Sequence, residues 1–168
     1  MAKITFVLGG ARSGKSLYAE RLVENHDGPL HYIATGQAWD GEMKVRIGEH
    51  QSRRADRWAT IEAPHDLAAA IRASEKPMLV DCLTLWVTNL MMQNEDQPDF
   101  DFNAAFDEVV LALEQAAAPV VLVSNEVGLG IVPDNKMARQ FRDLAGTLHQ
   151  KIAALSDETY FVVAGLPQ

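Results

Sequence analysis

Short apolar runs alternate with longer stretches of helical period along the chain. Ile4-Thr5-Phe6-Val7-Leu8 is a β-branched, apolar run of strand length. Ser16 to Asn25 then places Tyr18 and Leu22, and Ala19 and Val23, four apart, which is one face of a helix. Gly28-Pro29 closes that helix, and Leu30–Ala34 reads as a second strand ending at Thr35-Gly36. A charged helical stretch runs from Asp40 to about Arg54. Trp58–Glu62 follows as a third strand, Asp66–Ala73 as a short alanine-rich helix and Met78–Asp81 as a fourth strand. Leu83–Met92 is apolar enough for a buried helix, residues 93–102 form an acidic connection that reads as a solvated loop, and Ala104–Ala117 is helical again. Val120–Ser124 is a fifth strand, almost all valine in character. Met137–Ser156 is the longest helix, with Met137, Phe141, Leu144, Leu148, Ile152 and Leu155 as its inner stripe, and Thr159–Ala164 is the last strand.

Strands of four to six apolar residues alternating with helices predict an α/β fold: a mostly parallel sheet with helices on both faces and right-handed crossovers. Residues 1–168 read as a single domain, without repeat or low-complexity segment. In such sheets ligands bind at the carboxyl ends of the strands. The candidates are therefore Gly9–Ser16, Thr35–Gln37, Glu62, Asp81 and the pair Asn125-Glu126.

Composition narrows the function. The 168 residues are 48% hydrophobic and 23% charged, the proportions of an ordinary soluble globule. The net charge of −8 argues against a non-specific nucleic-acid binder, which needs a basic face. One cysteine, Cys82, allows no internal disulfide and suggests no zinc cluster. The amino terminus is too weakly basic and apolar for a signal peptide, and no run approaches the ~20 apolar residues of a membrane span, so a cytoplasmic protein is expected.

The first strand runs into Gly9-Gly10-Ala11-Arg12-Ser13-Gly14-Lys15-Ser16, the phosphate-loop pattern G-x-x-x-x-G-K-[ST] in its required strand–loop–helix setting. Gly9 and Gly14 permit turns that a Cβ forbids, so the loop N–H groups converge on an anion, and the helix adds its positive end. Lys15 supplies a charge to the β- and γ-phosphates and Ser16 a hydroxyl to Mg²⁺. Asp81, closing an apolar strand, is placed to hold the same metal, directly or through water. The alternative is an ordinary strand-end Asp capping the next helix.

Two further stretches carry chemistry. In residues 42–58, Arg46, Arg53, Arg54 and Arg57 surround His50. Neighbouring cations disfavour a protonated imidazole, a neutral one is a nucleophile, and the arginines can neutralise phosphate oxygens. Met43, Ile47 and His50 also share a face, so a core histidine beside a solvated arginine face fits the residues as well. In Val123–Pro133 a strand enters a loop with Asn125, Glu126, Gly128 and Gly130, which suits backbone approach to a ligand or a plain connection. Arg139 and Arg142 either meet phosphates or solvate the outer helix face. A guanine-reading Asn-Lys-x-Asp is absent, since Asn135-Lys136-Met137-Ala138 lacks the Asp, and Asp143-Leu144-Ala145-Gly146 lies within a helix.

Gly9–Ser16, Tyr32-Ile33-Ala34-Thr35, the Glu42–His50 run, Ser124–Pro133 and Ala138–Gly146 together resemble one family. It is the bifunctional adenosylcobinamide kinase/adenosylcobinamide-phosphate guanylyltransferase of cobalamin biosynthesis. The likeness spans nearly the whole chain, and the combination is far more specific than a phosphate loop alone. It implies a RecA-like sheet, a homotrimer, and the use of GTP, ATP and Mg²⁺. It also implies two reactions: phosphorylation of adenosylcobinamide, then transfer of GMP onto that phosphate through a guanylyl-histidine. By resemblance His50 carries the GMP and acts with Lys15. Gly9, Gly10, Ala11, Arg12, Ser13, Gly14, Lys15, Ser16, Ala34, Thr35, Gly36, Gln51, Ser52, Arg53, Arg54 and Glu62 contact nucleotide, and Ser16 and Asp81 hold the metal. The chain departs from the family at Asp81, where relatives carry Glu, and at Glu49, where relatives carry a second histidine. A phosphate-loop kinase lacking the second activity is the rival enzyme reading. A nucleotide-gated binding protein is a rival of another class.

Overall fold

The computed structural model describes residues 1–36 and 56–168. The expected helix from Asp40 to Arg54 lies outside the described residues. A seven-stranded sheet has the order β3-β2-β4-β5-β1-β6-β7. Its strands are β1 (Ile4–Gly9), β2 (Leu30–Ala34), β3 (Trp58–Glu62), β4 (Met78–Asp81), β5 (Val120–Asn125), β6 (Glu158–Val163) and β7 (Leu166–Pro167). All neighbours pair in parallel except β6 and β7. The helices are α1 (Lys15–Glu24), α2 (Leu67–Ala73), α3 (Leu83–Gln93), α4 (Phe102–Glu114) and α5 (Lys136–Leu155).

The period of two within doubly apolar strands explains the layers. Ile4, Phe6, Ile33, Val80 and Leu122 face a large core closed by Leu67 and Ile71 of α2, Trp86 and Val87 of α3, Phe106 of α4, and Leu148 and Ile152 of α5. Val7, Tyr32, Leu79, Val121 and Val123 face the other side, where Ala19 and Val23 of α1 cover them.

Boundaries follow local hydrogen bonding. Asp66, Asp101 and Asn135 accept from Ala69, Ala104 and Ala138 N–H and so start α2, α4 and α5. Asp101 thus ends the acidic connection and starts α4 two residues before the expected Ala104. The same helix stops at Glu114 rather than Ala117. Pro119 disfavours a helical residue before it, and Ala116 N–H instead turns back to the Leu113 carbonyl at 3.2 Å. Met137 is a correction to the inner stripe: it is 62% exposed, whereas Leu148 and Ile152 are fully buried. The 20-residue α5 is about 30 Å long and overhangs six-residue strands of about 20 Å. The last strand also differs from expectation. It ends at Val163, and Ala164 and Gly165, both at positive φ, turn the chain back into β7. Two central residues at positive φ are the signature of a tight I′ hairpin turn.

Candidate active site

Strand register brings the candidate residues to one edge. Ala34 pairs with both Glu62 and Asp81, while Gly9 pairs with Asn125 on one side and Val162 on the other. Glu126 N–H continues that row by donating to the Gly9 carbonyl at 2.9 Å. The loop from Gly9 to Lys15 therefore leaves the sheet between β5 and β6.

Within the loop, Gly14 (φ +91°) and Arg12 (φ +54°) are left-handed. A Cβ on Gly9 would lie 2.4 Å from Ser13 Oγ and 2.8 Å from the Val162 carbonyl, so only glycine fits. Lys15 is buried, and its Nζ donates to the Gly10 carbonyl at 3.0 Å. Burial lowers the Lys15 pKa, opposed by the negative charge of Asp81. The ammonium is held folded over its own loop.

The opposite wall is built from side chains. Tyr32 hydroxyl donates to Asp81 Oδ2, which orients the carboxylate at the end of β4. Thr35 is fully buried; its Oγ1 donates to the Cys82 carbonyl at 2.6 Å and accepts from Cys82 N–H at 2.8 Å. Asn89 of α3 donates to the carbonyls of Thr35 (2.6 Å) and Pro64 (2.9 Å), fastening the ends of β2 and β3 together. Thr84 Oγ1 accepts from Asn125 Nδ2 at 3.0 Å and lies 3.3 Å from Cys82 Sγ. Burial, aided by the charge of Asp81, pushes the Cys82 thiol up to about 11, so it is inert as a nucleophile. Gly36 lies against Leu85. Glu62 is exposed at the rim of a cavity of about 490 Å³ with Pro64, His65 and Asp66.

Beneath the β5–α5 loop, Ser124 Oγ and His149 Nε2 are 2.6 Å apart, both buried, and burial lowers the imidazole pKa against the charge of Glu126. Glu126 Oε1 accepts from Gly128 N–H at 2.5 Å. Arg139 donates to the Pro133 carbonyl (2.8 Å) and Arg142 to that of Gly128 (3.0 Å). These arginines therefore brace the loop that follows β5, a third role beside the two their sequence left open.

The sequence-predicted residues Gly9 to Ser16, Ala34, Thr35, Gly36, Glu62 and Asp81 thus share the carboxyl edge. His50, Gln51, Ser52, Arg53 and Arg54 lie outside the described residues. Asn89, Thr84 and Tyr32 were not singled out by the sequence as site-building residues. Asn89 is the most legible of them, an amide side chain in a mostly apolar helix.

Among the described residues no group of three or more His, Cys, Asp or Glu could hold a metal. Ser16 and Asp81 offer only a hydroxyl and a carboxylate. That sparse oxygen set suits Mg²⁺, which completes its shell with phosphate oxygens and water, and does not suit a resident structural metal.

A phosphate loop opening at the edge of a mostly parallel sheet, with a tyrosine-oriented carboxylate on a nearby strand, defines a nucleotide-using P-loop enzyme of RecA-like architecture. The solved RadB recombinase shares this fold: TM-score 0.51 at 14% identity, covering 95% of this chain and 73% of that one. The family described as cobinamide kinase / cobinamide phosphate guanyltransferase matches residues 5–168, and the chain belongs to it. Three bifunctional adenosylcobalamin biosynthesis proteins agree. CobP of Pseudomonas aeruginosa is 46% identical over 96% of this chain and 93% of its own length. CobU of Escherichia coli and CobU of Salmonella typhimurium are 41% and 43% identical, each over 95% of both chains.

Proposed function

We propose that this one domain, residues 1–168, performs two successive nucleotide-dependent transfers in cobalamin biosynthesis. In the first, the side-chain hydroxyl of adenosylcobinamide attacks the γ-phosphorus of ATP or GTP, and the nucleoside diphosphate leaves. In the second, a ring nitrogen of His50 attacks the α-phosphorus of GTP and pyrophosphate leaves. The corrinoid phosphate then takes GMP from the histidine, giving adenosylcobinamide-GDP and restoring the imidazole.

Membership of the family supports both activities. The observation in the structure that carries the reading is the meeting of Gly9–Ser16 with Asp81 at one sheet edge, where the buried Lys15 feels the carboxylate. Loop N–H groups and Lys15 bind and orient the triphosphate and stabilise the charge that develops on it. Ser16 and Asp81 would hold Mg²⁺, which supplies neutralisation of phosphate charge when bound. Ala34, Gly36, Glu62 and Gln51–Arg54 are assigned to the nucleotide; Thr35, expected to touch it as well, is fully buried with its hydroxyl engaged by Cys82 and holds the strand ends that frame the site. The sequence resemblance further supports a homotrimer, the net charge of −8 argues against a nucleic-acid partner, and a biosynthetic role fits the cytoplasm. No helix among the described residues is long and apolar enough to cross a membrane.

The test is incubation with Mg²⁺ and GTP labelled in its α-phosphate, then denaturation. Acid-labile, alkali-stable label on the protein, absent in His50→Ala, is the expected result. An unlabelled wild-type protein that still binds nucleotide would reduce the function to a kinase.

A further inference from the structure

The loop that grips the triphosphate is itself gripped from outside. Gly165 N–H, in the β6–β7 turn, donates to the Ser13 carbonyl at 2.7 Å. A Cβ on Gly14 would stand 3.1 Å from Gly165 Cα, so the two backbones touch with no side chain between them. Ser13 is the residue through which this contact acts. Its Oγ is buried without a hydrogen-bond partner, packed over Gly9, and its N–H reaches back to the Gly10 carbonyl at 3.3 Å. The hairpin is anchored in turn: Phe161 and Gln168 exchange backbone hydrogen bonds of 3.3 and 3.0 Å, and Tyr160 of β6 meets Tyr18 of α1 edge-on. The turn needs Ala164 at φ +51° and Gly165 at φ +80° to aim that one N–H.

We infer that the Ala164-Gly165 turn is a positioning element of the nucleotide site: it fixes Ser13, and through Ser13 the anion-binding curvature of residues 9–15. This rests on the phosphate-loop reading of Gly9–Ser16. Gly165 touches no phosphate; it acts on the loop that does.

Gly28 supplies an internal control. It too is left-handed (φ +83°), and neither Gly28 nor Gly165 has an atom within 4 Å of an added Cβ. Alanine at either position therefore introduces the same backbone strain and no clash. Gly28 precedes the amino end of β2, at the opposite edge of the sheet from the loop. The experiment measures Kd for a fluorescent GTP analogue with Mg²⁺, and Tm, in wild type, Gly165→Ala, Gly165→Asn, Gly28→Ala and Lys15→Met. Both alanine variants should lose about 3 °C in Tm. Gly165→Ala alone should bind about tenfold more weakly, since relieving its strain re-aims the N–H. Gly165→Asn, which tolerates left-handed backbone, should recover most of that affinity. Equal Kd in Gly165→Ala and Gly28→Ala would overturn the inference, as would failure of Gly165→Asn to improve on Gly165→Ala. If Lys15→Met binds as well as wild type, the phosphate-loop reading itself fails. A Gly165→Ala chain too unstable to assay leaves Gly165→Asn to decide: a folded Asn variant with tenfold weaker binding contradicts the account.

Discussion

The two walls of the site are built by opposite means. On the β1–β6 side the contacts are backbone to backbone: Gly9 against the Val162 carbonyl, Gly14 against Gly165, Glu126 N–H on the Gly9 carbonyl. On the β2–β4 side they are side chain to backbone or side chain to side chain: Thr35 bridging Cys82, Asn89 holding two carbonyls, Tyr32 on Asp81. The first wall brings backbones into close approach at Gly9 and Gly14, so it fails when a Cβ is added there. The second keeps several strand ends in register through side-chain hydrogen bonds, so it fails when a polar atom is removed.

Replacing Lys15 should have the largest effect and separate chemistry from folding. Lys15→Met should lower phosphoryl transfer by about 10²–10³-fold, the usual loss on removing one charge-stabilising donor. Burial already disfavours the ammonium, so thermal unfolding should show a Tm equal to wild type or higher.

Two neighbouring glycines sharpen the backbone side. Gly9→Ala should cost about 2–3 kcal/mol by denaturant unfolding, because its Cβ meets the immovable Val162 carbonyl as well as Ser13. Gly10→Ala has nothing within 4 Å of the new Cβ and should stay within about 0.5 kcal/mol of wild type. Equal effects would remove the steric basis of that wall.

Thr35→Val breaks the polar side with little change of shape. It leaves both Cys82 backbone groups without their hydroxyl partner and should cost about 2 kcal/mol in chemical denaturation. A neutral result would mean that water or a shifted neighbour satisfies them.

The smallest effect expected is a pH dependence set by His149. Its folded pKa lies below 6.5, so on acidification the unfolded chain takes up a proton that the folded one resists. Stability therefore falls as pH drops through about 6.5 toward the folded pKa. His149→Gln should flatten that part of the pH–stability curve relative to wild type, and an unchanged slope would assign it to other groups.

What the sequence shows and hides follows the same division. Gly9–Ser16 is legible because its chemistry is local: eight consecutive residues define a loop whose flanking strand and helix are also local. Every helix and strand of four residues or more among the described residues was legible from apolar periodicity. The polar wall was not, because Thr35 and Cys82 are separated by 47 positions and Asn89 and Thr35 by 54, and only the sheet order brings them together. β7 went unseen because it is two residues long, although Ala164-Gly165 between Val163 and Leu166 was a usable turn signal. Met137 misled because period alone does not reveal where a long helix outruns its sheet.

The most direct test of the account is to separate the two transfers. Adenosylcobinamide is supplied with Mg²⁺ and either ATP labelled in the γ-phosphate or GTP labelled in the α-phosphate, and labelled corrinoid is counted. Wild type should label it from both; His50→Ala should retain transfer from the γ-phosphate and lose transfer from the α-phosphate; Lys15→Met should lose both. A His50→Ala enzyme that still forms the GMP-bearing product, or one that loses phosphorylation while folded, would contradict the account.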